Sequence, residues 1–246
     1  MTWQPPGAQA GEAGSTSVML ASLNLHGGRT GRGVPFDVGA AGAALAADVI
    51  ALQEAWRPDR DEDPVAAMAA AMGGQVLHAG LAPGVTLRRL RIAADARPGS
   101  WGLALVTMLP VTGYELVSLG RVPGDPVSRG AQLVTLELPG GRPLRIVNAH
   151  LTHRFASPVQ LIQLALRLAA SSVPTVIAGD LNLPGPLTGL AAGYRQAVTG
   201  PTFPAWRPLI QLDHILTGRG VAGAAGAVLP PVGSDHLPVR ARLAAG

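Results

Sequence analysis

The chain has 246 residues, 48% of them hydrophobic, enough for one large buried core and calling for no second domain. It contains no cysteine, so disulfides, thiolate metal sites and thiol nucleophiles are excluded, and any chemistry must rest on oxygen and imidazole groups. All 19 basic residues are arginine, and the net charge is +4, a modest excess that suits an anionic substrate but is as easily explained by genomic base composition.

Residues 1–17 are rich in Pro, Gly, Ala and Ser, with neither the basic start nor the apolar run of a secretory signal. They are expected to be a flexible tail on a soluble, cytoplasmic protein whose single domain covers 18–246. No apolar stretch is long enough to span a bilayer, because Asp48 interrupts the 38–52 region and Arg167 the 159–170 region. An apolar run over 18–23 predicts a strand that leads into the Gly-rich turn Asn24-Leu25-His26-Gly27-Gly28. Helical spacing follows over 38–47, then a buried-strand pattern over 49–54 that ends on Glu54. A helix is predicted over 64–73, with Met68 and Met72 in the core. Arg88, Arg89, Arg91 and Arg97 lie in a Gly/Pro-bounded segment that reads as a solvated loop or as a grip on a phosphate backbone. Strands are predicted over 103–108, 114–118, 132–138 and 144–150, the last carrying Asn148 and His150 on one face. The short turn 138–143 marks an antiparallel hairpin, which argues against a purely parallel sheet. A helix over 158–171 and strands over 175–180, 213–217 and 237–243 complete the pattern, giving two sheets with helices outside.

Three clusters near the C-terminus carry the chemistry: Gly179-Asp180-Leu181-Asn182, Leu212-Asp213-His214 and Ser234-Asp235-His236. On a strand, Asp180 and Asn182 would point together, a carboxylate beside an amide, which suits a hard divalent cation or a polarised water. Asp235 followed by His236 on a loop would set a metal ligand next to a proton-transfer group. Plainer readings exist: Asn24 suits a cap on the Gly27-Gly28 turn, and Asp180 to Asn182 an Asx-type turn before Pro184. His26, His78, His153 and His214 read as ordinary polar side chains, and Trp101 and Trp206 as core or rim packing groups, with stacking on a base or sugar as the alternative.

Taken together, Asn24, Glu54, Asn148, His150, the Gly-Asp-Leu-Asn, Asp213 and the Ser-Asp-His resemble the endonuclease/exonuclease/phosphatase superfamily, over nearly the whole chain from Val18 to Leu243. Trp101-Gly102-Leu103-Ala104-Leu105, Thr202-Phe203-Pro204-Ala205 and Arg129-Gly130-Ala131 add to the likeness. The resemblance implies a four-layer α/β sandwich, two packed mixed β-sheets flanked by helices, with the site at one rim. It further implies a divalent-metal-dependent phosphoesterase that hydrolyses a phosphodiester by direct attack of water. Glu54, Asn24 and Asp235 would hold Mg²⁺ or Mn²⁺, and His236, oriented by Asp213, would act as general base or acid. His150 would contact the scissile phosphate, Asp180 and Asn182 would position the water, and Arg129 and Asn148 would bind phosphate, Arg129 by a bidentate contact. The expected partner is a phosphate-ester substrate, with nucleic acid first and a small-molecule or lipid-headgroup ester as the alternative, and the expected state is a monomer. A catalytically silent binding module is the reading from another class, and the metal and base residues it would have lost are present.

Overall fold

The computed structural model describes residues 17–83 and 98–245. The tail expected over 1–17, Ser17 apart, and the arginine segment 88–97 lie outside the described residues. One sheet is built from β1 (Ser17–Asn24), β2 (Val49–Pro58), β3 (Gln75–Pro83), β4 (Gly99–Thr107), β11 (Val221–Val228) and β12 (Val239–Ala245), in the order β11-β12-β1-β2-β4-β3. The other holds β5 (Val111–Gly120), β6 (Arg129–Leu138), β7 (Arg142–His150), β8 (Thr175–Asp180), β9 (Arg195–Gln196) and β10 (Asp213–Thr217), in the order β5-β6-β7-β8-β10-β9. Both are mixed: β1 with β2 and β7 with β8 run parallel, and the other neighbours antiparallel. The sheets face each other, with α1 (Val38–Leu45) and α2 (Pro64–Ala71) outside the first and α3 (Ser157–Leu168) outside the second, so the expected four-layer sandwich is borne out.

Strand periodicity explains where the site falls. Val18 and Leu20, Val49 and Ala51, Leu144 and Ile146, Val176 and Ala178, and Ile215 all fill the layer between the sheets. Their neighbours in sequence, among them Ala21, Leu23, Ile50 and Leu52, turn outward onto α1 and α2, while Val147, Ile177 and Leu216 turn onto α3. Burial on both faces is why these strands read as unbroken apolar runs. Continuing the inner positions two residues at a time to the same end of the sandwich leads to Asn24, Gln53, Asn148, His150, Asp180 and Asp213. The apolar layer thus ends in a polar rim made of strand ends.

Three strands went unrecognised in sequence. β3 and β11 are edge strands, and the described part of β11, Val-Ala-Gly-Ala-Ala-Gly-Ala-Val, lacks the bulky alternation that marks a strand. β9 has only two residues. Each is held by pairing with a neighbour, a tertiary effect. Gly179, by contrast, is dictated locally: its φ is 147°, and a Cβ there would lie 1.9 Å from the Ala149 carbonyl oxygen. Only glycine lets β8 approach β7 closely enough to set Asp180 beside His150.

Asp63 caps α2, accepting from the amides of Val65 and Ala66 at 2.9 and 3.1 Å, and its Oδ2 lies 2.8 Å from Nε2 of His78 on β3. Burial works against its charge, but His78 and the two amides outweigh that and hold its carboxyl below the usual value. Asp63→Ala is expected to destabilise the fold by about 1 kcal/mol at pH 7, read by chemical denaturation. Because its pKa is depressed, the stabilisation is present above pH 3.8 and fades as pH falls through the lowered value, so wild type and variant should converge in acid. A difference that persists unchanged at low pH would rule out the charged cap as its source.

Candidate active site

The rim residues converge on Asp180, which is buried. Its Oδ2 accepts from the Asn24 side-chain amide at 3.0 Å and lies 3.6 Å from Nε2 of His150 and 3.9 Å from Nε2 of His236. Its Oδ1 accepts from the Asn182 backbone amide at 2.9 Å. His236 reaches Asp213 through Nδ1, 2.9 Å from Oδ2, and its ring packs against Phe203 with centroids 4.7 Å apart. Asp213 is fully buried, and its Oδ1 has no hydrogen-bond partner among the described residues.

These contacts drive the ionisable groups apart. Burial, then the Asp213 charge, raises the Asp180 carboxyl to about 7 against the pull of His236. Burial alone would lower His236, but Asp213, Asp180 and Asp235 together raise it to about 10. His150 is held well below the ordinary histidine value by burial and by the charges of Arg129, His236 and His153. His236 is therefore the group that favours its proton and His150 the one that favours a neutral ring, while Asp180 holds a proton more readily than an ordinary carboxyl.

A second grouping lies on the side of the first sheet. A register shift in β2 between Leu52 and Ala55 re-aims Glu54, which adopts a left-handed φ of 50°. Its carboxylate stands 3.8 Å from Nδ1 of His26 and 3.8 Å from Nε2 of His150. Asp235 approaches the same Nδ1 of His26 at 3.4 Å, and the Ser234 hydroxyl donates to the Asn24 carbonyl at 2.6 Å, tying this loop to β1. Glu54 and Asp235 thus converge on His26 as hard oxygen donors whose contacts among the described residues are long, 3.4 Å or more, which fits a divalent cation. Ligand atoms of Asp180, Asp213 and His236 also lie within 4.8 Å of one another, but there Nδ1 of His236 and Oδ2 of Asp213 are already engaged with each other.

Several expected roles need correction. Asn148 does not face a phosphate. It is fully buried between the sheets, its amide nitrogen 2.9–3.0 Å from the Leu52 and Ala104 carbonyls and Gln132, and its oxygen accepting from Gln53 at 2.8 Å. Arg129 has no free fork for a bidentate clamp: Nε and Nη2 donate to Asp125 at 2.8 and 3.2 Å, leaving Nη1 against the His150 ring at 3.1 Å. Asn182 lies beyond β8 with φ 50°, so it does not share a strand face with Asp180. Its backbone closes an Asx-type turn on Asp180, and its side chain donates to the Leu151 carbonyl at 3.0 Å. The Asn24 oxygen accepts from the His26 amide at 2.9 Å, so the turn cap and the contact with Asp180 coexist.

Sequence reasoning read His26 as an ordinary polar side chain, gave Thr202 no role beyond its place in the Thr202–Ala205 likeness, and passed over Asp125. His26 stands between Glu54 and Asp235, with φ 47°, and the Gly-Gly that follows it was the only local sign of an unusual turn. Thr202 is fully buried and accepts from the amides of Leu212 and Asp213 at 3.0 and 3.2 Å, fixing where Asp213 begins its strand. Nothing local in the sequence marks Asp125.

A model of the endonuclease/exonuclease/phosphatase family matches residues 21–236. An endonuclease/exonuclease/phosphatase from Beutenbergia cavernae superposes with a TM-score of 0.72 at 22% identity, covering 94% of this chain and 72% of that one. The human Nocturnin catalytic domain with bound sulfate anion gives 0.70 at 17% identity, covering 94% of each chain. A mannosyl-6-phosphatase from Bacteroides thetaiotaomicron gives 0.68 at 15% identity, covering 92% of this chain and 99% of that one. No match emerges among curated protein sequences.

Proposed function

Since the chain belongs to the endonuclease/exonuclease/phosphatase family, whose members are hydrolases of phosphate ester bonds, we propose that it hydrolyses phosphodiesters with Mg²⁺ or Mn²⁺, nucleic acid being its first substrate class. The observation that carries this reading is the geometry at the buried Asp180 carboxyl, whose Oδ2 accepts from the Asn24 amide at 3.0 Å and stands 3.6 Å from His150 Nε2 and 3.9 Å from His236 Nε2. Hydrolysis needs a base for the attacking water and fixed positive charge for the phosphoryl oxygens. Groups whose surroundings push their pKa values apart divide that work. Asp180 takes the proton from water, oriented by the Asn24 amide. His236, kept charged by Asp213, donates a hydrogen bond to a phosphoryl oxygen and is not the base. His150, its ring held by Arg129 Nη1, donates to a second oxygen. Glu54 and Asp235 would hold the divalent cation, which when bound lowers the pKa of water and neutralises charge on the phosphoryl group.

The +4 charge and the exposed arginines 32, 121, 154 and 207 on the loops at this end support an anionic polymer as substrate. The test is hydrolysis of bis-p-nitrophenyl phosphate, p-nitrophenyl phosphate, plasmid DNA and single-stranded RNA with Mg²⁺ or Mn²⁺. Turnover abolished by EDTA, with the diester cleaved faster than the monoester and at least one nucleic acid degraded, is the expected result. Preference for the monoester, or turnover indifferent to EDTA, would overturn it.

A further inference from the structure

We propose that the mouth of the site grips an unpaired nucleic-acid strand, with Phe155 and Trp206 as stacking platforms on its two sides; this rests on the phosphodiesterase reading above. Both rings are on loops at the catalytic end and are uncovered: Phe155 is 104% exposed and Trp206 74%. Large aromatic rings left in water beside a charged active-site mouth offer flat faces on which a base can stack.

Their placement ties them to the reacting groups. Trp206 lies against the turn after β1 and beside Asp235: a Cβ on Gly31 would stand 3.2 Å from its ring and 3.1 Å from the Asp235 Cβ, and the Ala205 amide donates to the Asp235 carbonyl at 2.7 Å. Phe155 follows β7 in the second sheet, whose β9–β10 connection carries Trp206. Its loop is pinned by Ser157, whose hydroxyl donates to the carbonyls of Arg154 and Asn182 at 3.2 and 3.4 Å, and by the Arg154 guanidinium on the Gly124 carbonyl at 2.9 Å. Between that loop and Glu54 lies a recess of about 300 Å³ lined by Trp101, Val127, Arg129, His153 and Arg154, a place for the base or sugar next to the scissile phosphate.

Each ring has an arginine next to it in the chain, Arg154 and Arg207, both exposed. Ring plus cation on either side of a hydrolytic centre matches a polymer that alternates phosphates with flat bases. In a duplex the base faces are already covered by their neighbours, so only an unpaired strand offers them. Leu209, in the same loop as Trp206 and 72% exposed, would also suit a lipid surface. The rings sit on separate loops, one after β7 and one between β9 and β10, each with its own cation, which favours the strand over one continuous apolar wedge.

The experiment compares wild type, Trp206→Ala, Phe155→Ala and Trp206→Phe in Mg²⁺. Binding to a hydrolysis-resistant phosphorothioate oligothymidylate, to a duplex of equal length and to phosphatidylglycerol vesicles is measured at one salt concentration, with bis-p-nitrophenyl phosphate turnover in parallel. The strand should bind at least about tenfold more tightly than the duplex, and each alanine variant should weaken strand binding about tenfold. Trp206→Phe should recover most of that loss, and turnover of the small diester should stay within about twofold of wild type in all variants. Equal affinity in the alanine variants, preference for duplex, or Trp206-dependent capture by vesicles in place of the strand would overturn the proposal. Absence of diester turnover in wild type would instead sink the phosphodiesterase reading, leaving strand binding to be judged separately.

Discussion

Replacing His236 with alanine is expected to lower phosphodiester turnover at least about 100-fold, the scale on which a fixed charge aimed at a transition-state oxyanion contributes. The ring holds a proton because Asp213, 2.9 Å away, and Asp180, 3.9 Å away, outweigh its burial, and no other described cation takes that place beside Asp180. Alanine would also leave Asp213 buried with both oxygens unpartnered, a situation that costs about 3–5 kcal/mol. His236→Gln therefore accompanies it: glutamine restores a donor to Asp213 without the charge, so it should recover stability but not rate. The pH profile separates the roles further. With Asp180 as base and His236 as cation, activity should rise as Asp180 ionises, near pH 7 or lower once a bound cation favours its carboxylate, and fall as His236 loses its proton near 10. Asp213→Asn removes the main group that raises His236, so the alkaline limb should move to lower pH. A His236→Gln enzyme with wild-type rate, or an alkaline limb unmoved by Asp213→Asn, would sink this assignment.

Glu54→Gln is the second large effect. The substitution keeps size and shape but removes one of the two carboxylates that converge on His26, so Mg²⁺ and Mn²⁺ binding, followed by isothermal titration, should weaken at least about tenfold. Turnover at fixed metal should drop about 100-fold or more, with partial rescue at high metal concentration. Stability without metal should hold or rise, because Glu54 is partly exposed and makes no short hydrogen bond in the fold. Unchanged metal affinity would shift the cation to Asp180, Asp213 and His236, whose ligand atoms cluster within 4.8 Å.

Much of the site was legible because strand alternation is a local rule. Val18 to Asn24, Val49 to Glu54, Leu144 to His150 and Thr175 to Asp180 are apolar runs that end in polar residues, and buried strands carry such residues at least cost where the sandwich opens to water. That rule placed Asp180, Asp213 and His150 at one rim and accounts for the two-sheet architecture. It failed for Asn148, two residues short of His150 on the same face, because the depth at which the apolar layer gives way to the rim depends on how the sheets pack. There Gln53 and Gln132 from neighbouring strands satisfy the amide and turn a phosphate candidate into a link between the sheets.

Residue type, order and strand parity determined by themselves that this chain forms a two-sheet sandwich and that oxygen and imidazole groups meet at one end of it. Only the tertiary structure decided which of them share a proton, which share a cation site and which are already spent on structure. Asp125 claims the fork of Arg129, His26 enters between Glu54 and Asp235, and Asp213 makes His236 a cation. The physical reason is that hydrogen bonds and charge interactions act over a few ångströms between residues as far apart in sequence as Asn24 and Asp180. No local pattern carries such distances; packing of the two sheets sets them.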